Sequence, residues 1–248
     1  MSRPLTLVTG GTRGIGAAIA RRLAGAGHDL VVGYARDETA AAAAADEVER
    51  LGASCTLARA DLTEPDGVDE LFARAAEAGR LTGVVNNAGA TYRYAPLTET
   101  PVDEIRRTIE LNLTAPVLVA RAAVAVMSTD HGGSGGVIVN ISSGAATLGS
   151  PGEYVHYAAA KAGVDTLTKG LGLEVAGQGI RVVAVAPGLT ATDLHAATGD
   201  AGRLARMAPG IPLGRAGTAD EIAEAVSWLM SDAAAYVTAT TLRVTGGR

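Results

Sequence analysis

A chain of 248 residues, 48% hydrophobic and 19% charged, is long enough for one large α/β domain with a well-buried core. Its 21 basic and 26 acidic residues give a net charge of −5 without a long basic run, which argues against nucleic acid or an anionic membrane as partner. The single Cys55 excludes an internal disulfide and indicates a small strand residue in a reducing compartment. The first residues contain no apolar run long enough for a signal peptide or membrane span, so we expect a cytoplasmic protein.

The chain begins with a strand, a glycine turn and a helix. Leu5–Thr9 is the predicted strand, and the helix ends near Gly25–Gly27. Between them, Gly10, Gly14 and Gly16 have the spacing Gly-x-x-x-Gly-x-Gly. Such glycines let the backbone approach a pyrophosphate closely, and the helix N-terminus supplies amides and a favourable dipole. This context favours a dinucleotide site over a purely structural turn.

The second predicted strand, Asp29–Gly33, leads to the position that selects between the two nicotinamide dinucleotides. In NAD-specific sheets an acidic residue there binds the ribose hydroxyls. Here Ala35 is followed by Arg36, and Arg13 lies in the glycine loop. Two guanidiniums suit a 2′-phosphate, which favours NADP(H) over NAD(H). Asp37 keeps NAD(H) open as the alternative, as does a merely solvated Arg36.

An acidic residue follows the third predicted strand. After the alanine-rich helix Glu38–Leu51, the strand Ser54–Ala58 leads to Asp61-Leu62. The Asp61 carboxylate can cap a helix that starts near Glu64, can accept a hydrogen bond from the adenine amino group, or can do both.

Amide side chains mark the next two elements. The strand Leu81–Val85 runs into Asn86-Asn87-Ala88-Gly89, which can stitch strand ends together, line the cofactor or form a simple turn. One long helix is predicted over Thr100–Met127, with Asn112 in its middle. Asparagine is a mediocre helix former, so a buried one there holds a water, a backbone carbonyl or a local hydrogen bond.

The fifth strand and the helix after it carry the strongest catalytic signal. The strand Val137–Ser143 ends in two serines, and the helix Tyr157–Gln178 carries a tyrosine and Lys161 four residues apart on one face. A nearby ammonium favours the phenolate and lowers the tyrosine pKa, which makes the pair a candidate general acid/base. A bare Tyr-x-x-x-Lys is weak evidence, and the surrounding motifs strengthen it.

The C-terminal part continues the rhythm after one interruption. The strand Ile180–Val185 leads to Pro187-Gly188, and the last helix and strand are Ala219–Met230 and Thr241–Val244. The long segment Leu189–Gly217 between them is predicted to be a lid over the cleft, the alternative being disorder.

Alternating strands and helices predict an α/β fold: one Rossmann-type, doubly wound parallel sheet of about seven strands with helices on both faces. A single domain over residues 1–248 is expected, with the lid at about 189–217. Right-handed crossovers place the carboxyl ends of parallel strands along one edge, so the marked loops are expected to converge there.

The assembled motifs resemble the short-chain dehydrogenase/reductase family over nearly the whole chain, closest to bacterial 3-oxoacyl-carrier-protein-reductase-like and glucose-dehydrogenase-like oxidoreductases. The markers are the glycine loop Thr9–Gly16, Asp61-Leu62, Asn86–Gly89, Asn112, Ser143, Tyr157, Lys161 and Pro187-Gly188. The resemblance implies reversible reduction of a ketone or aldehyde by hydride transfer from NADPH. No metal site is predicted.

The resemblance also implies a role for each residue. Tyr157 would protonate the carbonyl oxygen, Ser143 would hydrogen-bond it, Lys161 would bind the nicotinamide ribose, and Asn112 would hold a proton-relaying water. The residues assigned to the cofactor are Gly10, Thr12, Arg13, Gly14, Ile15, Gly16, Arg36, Asp61, Leu62, Asn87, Ala88, Gly89, Tyr157, Lys161, Pro187, Gly188, Thr190 and Thr192.

The position of the serine departs from the family pattern. Family members usually have it thirteen residues before the tyrosine, where this chain has Gly144. One extra residue in the intervening stretch makes Ser143 the candidate and Ser142 the reserve. Tyr154 is not followed by lysine four residues on, so it is not the predicted acid.

Other departures concern the substrate. Where relatives that dock an acidic carrier protein tend to have basic residues, this chain has Thr129-Asp130-His131 and Gln178, and the chain is itself acidic. Because like charges disfavour such docking, a small free carbonyl compound is favoured over a carrier-bound 3-oxoacyl thioester. Several side chains are predicted either to face the substrate or to form rim and packing: Tyr92, Arg93, Tyr94, Glu153, Tyr154, His156 and His195.

A rival hypothesis is a dinucleotide sensor that has kept the fold without the chemistry, against which the complete Ser, Tyr, Lys and Asn set argues. The family also implies a homotetramer or homodimer that pairs the helices Thr100–Met127 and Tyr157–Gln178. Small residues on the second helix would allow this pairing, or helix–sheet packing within one chain: Ala158, Ala159, Ala160, Gly163, Gly170 and Gly172.

Overall fold

The computed structural model of the protein describes residues 3–192 and 202–248. Its strands are, in chain order, β1 Leu5–Val8, β2 Asp29–Tyr34, β3 Cys55–Arg59, β4 Leu81–Asn86, β5 Gly136–Ile141, β6 Ile180–Pro187, β7 Thr190–Ala191, β8 Gly217–Thr218 and β9 Thr240–Val244. Seven of them form one parallel sheet in the order β3-β2-β1-β4-β5-β6-β9, and β7 pairs with β8 separately. The predicted parallel sheet of about seven strands is confirmed.

Helices cover both faces of this sheet. Their bounds are α1 Gly14–Gly25, α2 Glu38–Arg50, α3 Gly67–Ala78, α4 Val102–Ile109, α5 Ala115–Met127, α6 Ala145–Leu148, α7 Val155–Glu174, α8 Arg203–Met207 and α9 Ala219–Met230. One buried cluster joins α1, α2 and α9 to the sheet, and a second joins α3 and α5 to its opposite face. Strands covered on both sides have no solvent-facing row, which is why β6 reads IRVVAVAP without alternation.

The winding direction reverses between β1 and β4, which are neighbours in the sheet although two strands lie between them in sequence. Open α/β sheets bind ligands in the crevice at the carboxyl ends of such a pair. The glycine loop follows β1, and the Asn86–Gly89 stretch follows β4. The sheet topology therefore brings the two loops to the same crevice.

The predicted long helix Thr100–Met127 exists with an interruption. α4 and α5 are joined by a π-helical turn, Glu110–Thr114, which contains the fully buried Asn112. π-turns place one extra residue in a helix and are frequent at functional sites. The turn therefore explains how a mediocre helix former occupies the middle of this segment.

The same stretch, Val102–Met127, is long and apolar enough to cross a membrane by length and composition, with a mean hydropathy of 1.5 over an 18-residue window within it. Its α5 part packs on β4 and β5 through residues that include Val119 and Ala123, as a core helix does. The outer side carries exposed apolar residues: Val102, Ile109, Val117, Leu118 and Val126.

Candidate active site

A cavity of about 1360 Å³ lies at the carboxyl edge of the sheet. Every residue that the sequence analysis assigned to the cofactor lines it, as do Ser142 and Ser143. Asn112 lies behind Gly89: a Cβ added to that glycine would come within 2.7 Å of the Asn112 Oδ1 and 3.4 Å of the Lys161 Nζ. The fold thus brings residues far apart in sequence to one cavity.

The glycine loop closes tightly at one end of this cavity. Gly10 and Gly14 have φ of +61° and +53°, in the left-handed region that favours glycine. A Cβ at Gly16 would lie 2.1 Å from the Gly10 carbonyl oxygen, so no larger residue fits. Among the described residues no side chain caps α1, and its first turn contains no acid. Free amides and a positive helix end fit a pyrophosphate there.

Asn87 fastens β4 to the glycine loop. Its Nδ2 donates to the Thr9 and Gly10 carbonyls at 2.9 and 3.0 Å, and its backbone N–H donates to the Thr9 hydroxyl at 2.9 Å. Of the three possibilities for the Asn86–Gly89 stretch, stitching of strand ends therefore occurs, and Asn87, Ala88 and Gly89 also line the cavity.

Two guanidiniums lie where a ribose phosphate would be expected. The Arg36 side chain is 81% exposed, with its Nη2 3.5 Å from the Asp61 carboxylate, and Arg13 Nη1 lies 3.4 Å from the Asp37 carboxylate. Asp37 caps α2 by accepting from the Ala40 N–H at 2.9 Å. The Asp37 carboxylate, the group that would favour NAD(H), is thus already engaged as a helix cap.

Asp61 does not cap the next helix. α3 begins at Gly67 rather than near Glu64, and Asp61 Oδ1 instead accepts from the N–H and the hydroxyl of Thr63 at 3.1 and 2.7 Å. These hydrogen bonds hold the pKa of its carboxyl below the usual value. The helix-cap expectation was wrong because this local turn satisfies the carboxylate first.

The structure distinguishes the two serines. The Ser143 hydroxyl lies near enough to the Tyr157 phenol to lower the pKa of that phenol, and it accepts from the Ala145 N–H at 3.1 Å. The Ser142 hydroxyl is buried and donates to the Lys161 carbonyl oxygen at 3.3 Å. Ser143, at the end of β5, is therefore the serine beside the phenol, despite its offset from the family spacing.

Lys161 and Asn112 form the buried back of the site. Lys161 is 3% exposed, and its Nζ donates to the Ile141 carbonyl at 2.8 Å. Asn112 Nδ2 donates to the carbonyls of Ala90 and Thr108, both at 2.9 Å, whereas its buried Oδ1 has no hydrogen-bond partner among the described residues. An unsatisfied acceptor close to an ammonium is the setting in which a water molecule is held.

The expected direction of the Tyr157 pKa shift was wrong. Burial raises the pKa of the Tyr157 phenol well above its ordinary value, although the nearby Ser143 hydroxyl acts in the opposite direction. Burial lowers the pKa of Lys161 to about 8, and the Nζ lies 5.8 Å from the Tyr157 ring centroid. Desolvation of both groups outweighs the attraction that their spacing suggested.

Arg203 of α8 is the residue that sequence reasoning missed. It is buried within the cavity wall beside Glu153, Tyr154 and Tyr94, all of which line the cavity. Its only sequence signal was its position in the predicted lid segment, since its ion-pair partner lies 50 residues away.

Some other predicted substrate-facing residues have different surroundings. Tyr92 lines the cavity, but Arg93 and His156 are not among the described lining residues. The Arg93 N–H donates to Glu104 Oε1 at 3.0 Å, and His156 is buried, which lowers its pKa. His195 lies outside the described residues.

Cys55 is the first residue of β3 and is half-buried. Burial raises the pKa of its thiol to about 11, which fits an unreactive strand residue.

A doubly wound parallel sheet with a glycine loop at its switch point defines a dinucleotide-binding protein of the Rossmann type. A family model described as enoyl-(acyl carrier protein) reductase matches residues 10–248. The uncharacterized oxidoreductase YgfF of Escherichia coli is 42% identical, covering 98% of this chain and 99% of that protein. The 3-oxoacyl-[acyl-carrier-protein] reductase FabG of the same species is 41% identical, over 98% and 96%. The chain belongs to the short-chain dehydrogenase/reductase family.

Solved structures agree with this assignment. A short-chain dehydrogenase/reductase from Mycobacterium marinum superposes with a TM-score of 0.91 at 33% identity, covering 98% of this chain and 94% of that one. A Brucella melitensis 3-ketoacyl-(acyl-carrier-protein) reductase complexed with NADH gives 0.90 at 29%, over 99% and 98%. A blue fluorescent protein from a metagenomic library, in complex with NADPH, gives 0.89 at 33%, over 98% and 97%.

Proposed function

We propose that the protein is an NADP(H)-dependent oxidoreductase that reversibly reduces a ketone or aldehyde to an alcohol. One observation carries the proposal: a phenol next to a serine hydroxyl, with a buried ammonium nearby, shares a cavity with an uncapped glycine-rich helix start. A pure dinucleotide sensor would need the helix start but not the serine, the phenol and the buried ammonium. The nicotinamide dinucleotides in the solved relatives with NADH and NADPH support the cofactor class.

Tyr157, Ser143 and Lys161 are proposed to have different roles in the proton transfer. A bound nicotinamide dinucleotide would supply the hydride. Tyr157 donates its proton to the carbonyl oxygen, a role that its raised pKa favours because the phenol stays protonated. The Ser143 hydroxyl holds that oxygen beside the phenol. In the oxidation direction the same phenol must first lose its proton, which the neighbouring ammonium of Lys161 assists electrostatically.

Proton resupply is assigned to Lys161 and Asn112. The unpaired Asn112 Oδ1 and the Lys161 Nζ lie against the same face of Gly89. A water held between them would connect the ammonium to the interior of the π-turn. This placement gives a reason for an asparagine in the middle of a long helix.

The cofactor preference is assigned to Arg36, aided by Arg13, with Asp61 and Leu62 at the adenine end. We expect Arg36→Ala to weaken NADPH binding by about tenfold, or ~1.4 kcal/mol, and to leave NADH binding nearly unchanged, because only NADPH carries the 2′-phosphate. Titrations of both cofactors by fluorescence measure this, with Arg74→Ala, an exposed α3 arginine paired with Glu77, as control. Equal losses for both cofactors would contradict the assignment.

The substrate is proposed to be a free carbonyl compound rather than a carrier-bound thioester. FabG of Escherichia coli is named for a carrier-bound substrate, which keeps that alternative open. A panel of ketones and aldehydes, followed by loss of NADPH absorbance, tests the reductase. Tight cofactor binding without turnover of any carbonyl would favour the sensor.

We propose that the protein is cytoplasmic, has one domain, and uses residues 189–217 as a lid over the cavity; of this segment, residues 193–201 lie outside the described part of the chain. Within that range Thr190 and Thr192 line the cavity, as do Arg203 and Met207 of α8. These four residues support the lid, because two separate parts of the segment border the same space.

Pairing of α4–α5 and α7 between subunits is proposed for a homotetramer or homodimer. Gly163 and Gly172 pack inside the chain, near Leu113 and Ala239, while Gly170 meets open space. The exposed apolar side of α4 and α5 supports the pairing. We expect elution well above the 24.9 kDa of one chain in size-exclusion chromatography with light scattering, and a monomer would contradict it.

A further inference from the structure

A two-pronged ion pair forms part of the cavity wall near Tyr157. Arg203 Nη1 and Nη2 donate to Glu153 Oε1 and Oε2 at 2.6 and 2.7 Å. Arg203 lies in α8, and Glu153 lies in the loop before α7. Such a planar, bidentate pair is among the strongest charge-assisted arrangements in proteins. It joins the segment after residue 201 to the loop that precedes the candidate acid.

Aromatic rings hold this pair next to the candidate acid. The Arg203 guanidinium lies 4.4 Å from the Tyr94 ring centroid and 5.8 Å from that of Tyr154, and its Nη2 is 3.3 Å from the Tyr154 hydroxyl. The Tyr154 ring meets the Tyr157 ring edge-on, with centroids 5.3 Å apart. One aromatic ring therefore separates the ion pair from the phenol.

The two charges are not equally exposed. The Arg203 side chain is 4% exposed, whereas the Glu153 side chain is 33% exposed. Both residues line the cavity, and the carboxylate is the more exposed charge of the pair. Arg106, Arg107 and Arg248 also line the cavity but are exposed, so water and salt screen their charges; Arg107 lies over the Tyr92 ring at 5.4 Å. A carboxylate on a ligand would be repelled by Glu153 and would find Arg203 already neutralised.

We propose that Glu153 and Arg203 determine substrate specificity by charge, selecting uncharged carbonyl compounds and rejecting those that carry a carboxylate. The inference rests on the proposed function, since it assumes that the substrate lies against this wall. Removal of the Glu153 charge leaves the buried guanidinium without its partner, beside the substrate, and turns the wall into a site for anions.

The test uses two ligands of nearly equal shape, 4-acetylbenzamide and 4-acetylbenzoate, with the NADPH complex of the full chain. Calorimetry gives the two dissociation constants, and loss of NADPH absorbance gives kcat/KM. The wild-type protein is expected to favour the amide by at least about tenfold in binding. Equal or tighter binding of the benzoate would overturn the proposal, and this measurement needs no variant to fold.

Glu153→Gln is expected to shift the benzoate-to-amide affinity ratio by at least about tenfold toward the benzoate. The double variant Glu153→Gln/Arg203→Gln, with both charges gone, should return the ratio toward the wild-type value. Glu224→Gln, which breaks the exposed pair of Glu224 with Arg22 Nε at 2.7 Å and changes the net charge equally, should leave the ratio unchanged.

A folded Glu153→Gln protein with an unchanged ratio would show that the pair is only a structural clamp, which overturns the proposal. Failure of the proposed function looks different. In that case no carbonyl compound is reduced, while calorimetry still reports whether the amide is preferred.

Discussion

Tyr157→Phe will lower kcat for carbonyl reduction by about 10²–10⁴-fold, the usual contribution of a positioned general acid. The substitution keeps the ring and its edge-on contact with Tyr154 and removes only the hydroxyl beside Ser143. Affinity for NADPH should change little. Steady-state kinetics and a cofactor titration of the same preparation measure both quantities.

The matched control is Tyr154→Phe, the same change three residues earlier. It loses a hydrogen bond to Arg203 but no proton that the reaction needs, so a loss of no more than about tenfold is expected. Comparable losses in the two variants would mean that the phenol acts by packing. Full activity of Tyr157→Phe would remove it from the proton transfer altogether.

Lys161→Met will separate activity from stability. The pKa of Lys161 is lowered from 10.5 to about 8 because the ammonium is buried. Below pH 8 the folded protein holds a charge that the unfolded chain accommodates more easily. A methionine of similar length avoids this cost but leaves the Ile141 carbonyl without its donor. We expect a Tm higher by about 2–4 °C at pH 7, with kcat lower by at least about 100-fold.

The buried lysine should also make the stability of the wild-type protein depend on pH. Between pH 8 and 10.5 the unfolded chain binds the lysine proton and the folded protein does not, so the lysine makes wild-type stability rise with pH in that window. The rise should be absent in Lys161→Met and present in Lys169→Met, whose lysine lies exposed on the same helix. Thermal melts across this range decide it. A destabilised Lys161→Met protein with an unchanged pH slope would show that the buried charge is not penalised.

Much of the fold could be predicted because the signal is local and repeated. The strands β1 to β6 and β9 lie within about two residues of the predicted bounds, and α9 matches them at both ends. The π-turn at Glu110–Thr114 could not be predicted, because an extra residue in a helix is stabilised by what packs around it. For the same reason the sequence showed only that Asn112 needed an explanation.

The candidate site was predictable where loops follow strands. Parallel topology alone brings the glycine loop, Asn87 and Ser143 together. The role of Arg203 could not be predicted, because the lid segment has no periodic pattern and the ion-pair partner of Arg203 lies 50 residues earlier in the chain. The direction of the Tyr157 pKa shift was wrong because spacing along a helix reveals a neighbour but not how much water surrounds it.

The π-turn also changes the direction in which the side chains after it point, relative to those before it. An added residue turns everything beyond it by about 100° relative to an uninterrupted α-helix. α4, before the turn, packs mainly on α7, while α5, after it, packs mainly on β4, β5 and α3 and less on α7. The segments on either side of the turn therefore have different main neighbours. The turn contains Asn112, whose Oδ1 and the Lys161 Nζ both lie near Gly89, so deleting one residue from the turn would change the orientation of the helix and of the site together.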